Sequence, residues 1–127
     1  MRARLTSIGV LAVAAALVLL AGCDKVMPPA GVRLPGQSDR KAVELIRYYG
    51  CGTCHSIPGV PSATGLVGPP LAKLKSRTYI GGVLTNNLDN LTRWIQNPRQ
   101  MAPKTAMPDV GVTEGDAKVI AAYLYTR

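Results

Sequence analysis

A chain of 127 residues with 15 Lys and Arg against 7 Asp and Glu, formally +8, has room for one domain of ordinary size and no more. Its hydrophobic fraction of 47% is inflated by an apolar N-terminus, and Phe is absent, so the side chains alone make a thin core. Nothing in it forms a basic helix face interleaved with aromatics, which excludes a nucleic-acid binder; the positive balance serves solubility or steers an acidic partner.

The N-terminus reads as an export signal. Arg2 and Arg4 precede an uncharged run from Ile8 to Ala21, shorter than the ~20 residues that a spanning helix needs. The run closes on Leu20-Ala21-Gly22-Cys23, which looks like a bacterial lipobox, with Cys23 as the lipid-attachment residue after removal of residues 1–22. Asp24 after that cysteine suggests retention at the inner membrane. The expected location is the bacterial cell envelope, at the periplasmic face of the inner membrane. Residues 23–37 carry Pro28, Pro29 and Pro35 and no periodicity; such a tether reaches at most about 40 Å from the membrane.

The folded unit is expected over residues 38–127, all-α with long loops. Ser38 can cap a first helix whose apolar face is Ala42, Leu45, Ile46 and Tyr49, with Gly50 ending it. Residues 56–87 are rich in Gly and Pro and read as loop, with a short helix over Leu71–Lys75. Asn86-Asn87 caps a second helix, Leu88 to Asn97, with Leu88, Leu91 and Ile95 on one face and Pro98 as its stop. Arg99 to Gly111 is again loop. A last helix opens at Thr113, has Glu114 and Asp116 in its first turn, and faces inward through Ala117, Ile120, Ala121 and Leu124. Long loops count against a compact domain of this size unless a large apolar group supplies the core.

Cys51-Gly52-Thr53-Cys54-His55 has the spacing of covalent haem attachment. Two thiols three positions apart can each form a thioether to one porphyrin, and the adjacent imidazole can ligate its iron. With Cys23 assigned to lipid, no thiol remains for a structural disulfide. A thioredoxin-like pair would follow a strand within a βαβ unit, whereas this one follows a helix. A zinc site would need a fourth ligand, and His55 is the sole histidine. A plain thiol pair is poorly tolerated in an exported chain. Haem iron needs a sixth ligand, the sole histidine excludes a bis-His site, and Met/His ligation is the arrangement that raises the potential. Met1 leaves with the signal and Met27 lies in the tether, so Met101 and Met107 remain, both in the loop before the last helix.

From Ala42 to Leu124 the sequence resembles the class I cytochrome c family. The matching stretches are Leu45-Ile46, Gly50 through His55, Gly68-Pro69-Pro70-Leu71, Asn90-Leu91, Trp94-Ile95, Asn97-Pro98, Ala106-Met107-Pro108 and Ala122-Tyr123-Leu124. It looks most like monohaem c domains, including those fused to subunit II of some bacterial haem-copper oxidases. The resemblance implies three main helices wrapped around one covalent haem c. It makes Met107 the axial partner of His55 and leaves Met101 to fill a gap. It also implies that the Pro69 carbonyl holds the His55 ring, and that Tyr79 and Trp94 bond the haem propionates. The chain departs from the family pattern where Ala42 and Ile46 replace a Gly and an aromatic at the crossing of the first and last helices. It departs again at Met101-Ala102-Pro103-Lys104, where relatives carry a Lys-Pro-Gly turn.

Two filled axial positions leave no site for a small-molecule substrate. The expectation is therefore an electron-transfer protein and not itself an enzyme, serving respiratory redox partners with an acidic docking surface. It is either a membrane-tethered shuttle or a fixed haem subunit of a membrane dehydrogenase or oxidase. A haem enzyme or gas sensor would need a labile sixth ligand. Lys73, Lys75 and Arg77 are candidates to ring the exposed haem edge.

Overall fold

The computed structural model describes residues 36–127; the signal segment, Cys23 and most of the tether lie outside them. Helix α1 spans Gln37–Tyr48, two residues earlier than a cap at Ser38 predicts. Gly36 stands at its N-cap in the left-handed region (φ +81°), and its carbonyl accepts the Arg40 N–H at 3.1 Å. The helix is thus already under way at Ser38, which is exposed in the first turn and caps nothing. Gly50, at φ +71°, ends the helix by donating its N–H to Arg47 O at 3.1 Å. Ala42 and Ile46 are fully buried, and Leu45 and Tyr49 are packed at the margin of the core.

Cys51–Thr53 forms a single 3-10 turn. The loop beyond it folds back at an isolated bridge between Ser56 and Thr64, placing Ile57, Val60 and Ala63 inside. The short helical turn expected at Leu71–Lys75 lies instead at Leu74–Ser76. Lys73 takes a left-handed conformation (φ +53°) and donates its N–H to Arg127 O at 2.8 Å, so the chain cannot turn helically before Leu74.

The fold is helix-rich, with one small two-stranded sheet. Strands β1 (Tyr79–Ile80) and β2 (Leu84–Thr85) form an antiparallel hairpin, Tyr79 opposite Thr85 and Ile80 opposite Leu84. Asn86 fastens this hairpin to the preceding turn. Its N–H donates to Thr78 O at 3.0 Å, and its side-chain amide donates to Leu74 O and Arg77 O, both at 2.8 Å.

Helix α2 spans Leu88–Gln96 and starts where the Asn87 side chain accepts the Asn90 N–H at 2.8 Å. Its buried face is Leu91, Trp94 and Ile95. Leu88, predicted on that face, is exposed: as the first helical residue it stands ahead of the packed stripe. Pro98 does more than stop this helix. It opens a four-residue helix α3 (Pro98–Met101), in a first turn where a missing N–H costs nothing.

Helix α4 spans Glu114–Leu124, and Thr113 Oγ1 accepts the Asp116 N–H at 3.3 Å. Ala117, Ile120, Ala121 and Leu124 are buried as expected, and so is Tyr123. Both α1 and α2 pack on α4, and Ala42 and Ile46 join the same buried cluster as Tyr123. Small or slender residues at this crossing let two helices approach without an aromatic wedge. Three polar ties reinforce the packing. Tyr49 OH donates to Asp116 Oδ2 at 2.8 Å, Tyr123 OH donates to Pro58 O at 2.9 Å, and Arg127 pairs with Asp39. The bond from Tyr49, with the one at Thr113, holds the Asp116 carboxyl below its ordinary range; the same carboxylate raises the Tyr49 phenol. Among the described residues no helix is long and apolar enough to cross a membrane.

Candidate functional site

The turn after α1 is tightly specified. Thr53 N–H donates to Gly50 O at 3.1 Å, and His55 N–H donates to Cys51 O at 3.0 Å. The Thr53 hydroxyl adds a bond to Gly50 O at 2.7 Å. The following loop then runs back against this turn. Gly65 N–H reaches Gly52 O at 3.1 Å, Gly68 N–H reaches Cys54 O at 2.7 Å, and Leu71 N–H reaches Ser56 O at 2.8 Å. Such close approach needs small residues: a Cβ on Gly65 would come within 2.4 Å of Thr53 O.

The same loop sets the imidazole. His55 Nδ1 lies 2.8 Å from Pro69 O. A carbonyl oxygen only accepts, so the proton resides on Nδ1 and the Nε2 lone pair is left for a metal. Gly68 leaves the ring its room, since a Cβ there would stand 2.3 Å from Cε1 and 2.6 Å from Nδ1.

Cys51, Cys54, His55 and Met107 all line one cavity of about 420 Å³, walled mainly by apolar side chains such as Ile46, Leu91, Ile95, Ile120 and Leu124. Burial pushes the Cys51 thiol up, which keeps it protonated at neutral pH. The two cysteines are not joined to each other. Pro69, Tyr79 and Trp94 are also on the wall. Tyr79 is more than half exposed, at the rim, and Trp94 is buried with its ring over Gly81. Met101 is not on the cavity; it packs at the margin of the core, its sulfur 3.7 Å from Arg93 Nη2.

Of the three basic residues expected around the opening, only Arg77 reaches the cavity, where its guanidinium bonds Pro70 O. Lys73 and Lys75 line a separate shallow groove with Ser76, Tyr125, Thr126 and Arg127. The left-handed turn at Lys73 sends them there. Sequence reasoning missed two polar wall residues, Tyr49 and Thr105. Thr105 had a legible signal: a threonine two positions before a residue can accept that residue's N–H.

The donors on this wall are two thiols, an imidazole and a thioether, a set that suits a soft or borderline metal. Among the described residues no three of His, Cys, Asp and Glu cluster as a metal site by themselves. The volume makes its own demand. A space of about 420 Å³, lined mainly by apolar side chains and open at its mouth, leaves those side chains facing water. The walls therefore suit a large apolar occupant.

Over 82 residues the chain is 33% identical to cytochrome c oxidase subunit 2 of Alkalihalophilus pseudofirmus; the alignment covers 64% of this chain and 23% of that protein. The chain thus spans less than a quarter of the length of this relative. No family model and no solved structure matches it.

Proposed function

We propose that this chain is a monohaem c-type cytochrome, a membrane-tethered carrier of single electrons between respiratory redox partners. One observation supports this above the others: Cys51, Cys54, His55 and Met107 meet on a single apolar cavity, and Met101 stands off it. The residues suit haem c in number and kind. Cys51 and Cys54 would hold it by thioethers, and His55 Nε2 and Met107 Sδ would be the axial ligands. Bound there, the haem supplies one-electron Fe(II)/Fe(III) chemistry, at a potential that a methionine ligand raises.

Everything else falls to the chain. Pro69 O fixes the imidazole tautomer and orientation, Gly68 keeps the ring's space clear, and the apolar wall excludes water. Trp94, Tyr79 and Arg77 are on the wall and would offer donors to the propionates. With His55 and Met107 both holding the iron, no position would be left for a small-molecule substrate, and the chain would carry electrons rather than act as an enzyme. Cys23, by its place in the lipobox, would anchor the domain at the periplasmic face of the inner membrane.

The deciding experiment is the visible spectrum of the oxidised protein with Met107→Ala and Met101→Ala variants. The Met-to-ferric-iron charge-transfer band should vanish in the Met107 variant and persist in the Met101 variant; the reverse pattern overturns the ligand assignment. A second reading, a haem subunit held permanently in an oxidase, is favoured by the resemblance to an oxidase subunit. Purification from native membranes in mild detergent separates the two readings. A shuttle comes away alone, whereas constant recovery with one enzyme marks a fixed subunit.

A further inference from the structure

We infer that Thr105 is a positioning residue for Met107: its side chain fixes the backbone from which the methionine sulfur reaches into the cavity. The inference rests on the proposed reading of Met107 as an iron ligand. Residues 102–113, between α3 and α4, contain no regular element, so nothing repetitive sets where Met107 stands. Among the described residues no main-chain carbonyl takes its N–H. The partner is instead Thr105 Oγ1, at 3.2 Å. Thr105 is itself anchored, because its N–H donates to Ala102 O at 2.9 Å, and Ala102 N–H donates to Pro98 O at 2.9 Å. A chain of three bonds thus runs from the start of α3 to the backbone of Met107. Pro108 restricts the chain on the other side. Thr105, Ala106, Met107 and Pro108 all lie on the cavity wall, so a shift of this turn moves the sulfur directly.

Without the Thr105 acceptor, the Met107 backbone gains alternative conformations, and the sulfur competes less well for the position it occupies. A net hydrogen bond of this kind changes an equilibrium about fivefold.

The test uses the oxidised holoprotein. Imidazole is titrated against wild type, Thr105→Val and Thr105→Ser, following loss of the methionine charge-transfer band, with guanidinium unfolding of each measured alongside. Valine keeps the shape and removes the acceptor; serine restores it. Thr105→Val should bind imidazole about fivefold more tightly, while Thr105→Ser should return to within about twofold of wild type. Equal imidazole affinity in wild type and Thr105→Val overturns the inference, even if the variant unfolds at lower denaturant. The same holds if serine behaves like valine. If wild type lacks the band, or Met107→Ala retains it, the underlying ligand reading fails instead, and the Thr105 inference with it.

Discussion

Replacing Cys51 and Cys54 together with alanine should yield a chain that neither keeps haem through acid-acetone extraction nor unfolds cooperatively. The reason is the core, not the loss of two small side chains. Ile46, Leu91, Ile95, Ile120 and Leu124 line the cavity as well as belonging to the buried cluster, so an unfilled cavity leaves them facing water. That exposure weighs heavily on a domain whose net stability is on the order of 5–15 kcal/mol. Coordination by His55 and Met107 alone would leave the occupant free to dissociate whenever the loops open. Far-ultraviolet circular dichroism at 25 °C should lose more than half its helical signal in the double variant. Either single variant, with one thioether left, should fold with a lowered denaturation midpoint. A double variant that melts cooperatively with the wild-type helix content would show that the side chains form a sufficient core by themselves.

Gly68→Ala should destabilise the domain by about 3 kcal/mol. Its Cβ would stand 2.3 Å from His55 Cε1 and 2.9 Å from Nε2, against a ring held by Pro69. Overpacking of this kind costs about 1–3 kcal/mol, and a displaced ring also forfeits the Nδ1–H to Pro69 bond, about 1 kcal/mol. Gly50→Ala is the control. Gly50 has φ +71° and nothing within 4 Å of the place a methyl would take, so the cost there is conformational alone, about 1–2 kcal/mol. Urea unfolding of the holoproteins gives both numbers. The absorption spectrum should distinguish them further: only Gly68→Ala should perturb the histidine–iron bands. Equal losses with unchanged spectra would mean that the loop yields and Gly68 does not guard the ring.

The helices were readable because their signals are local. Asn87 and Thr113 cap α2 and α4 with their own side chains, and Ala117, Ile120, Ala121 and Leu124 repeat at helical spacing onto one buried face. The hairpin was not readable: Tyr79–Ile80 and Leu84–Thr85 are two residues each, too short for alternation to register. What holds them, the Asn86 side chain on Leu74 and Arg77 carbonyls, is a tertiary arrangement. Pro98 was ambiguous, since the same ring ends one helix and suits the start of another.

The candidate site divides along the same line. Cys51, Cys54 and His55 announce themselves by fixed spacing, and the resemblance to a known family singles out Met107. That Arg77 would reach the cavity while Lys73 and Lys75 turn away depends on one left-handed residue, which no periodicity reveals. The clasp between Tyr49 and Asp116, 67 positions apart, depends on how α1 meets α4.

The pairing of Asp39 with Arg127, and the bond from Lys73 N–H to Arg127 O, bring the first turn of α1 beside the last residue of the chain. Entry and exit therefore sit at one corner of the domain. A unit with that geometry could be joined to further chain without threading a strand past the cavity. Attachment at that corner and the rim of the cavity can consequently vary independently.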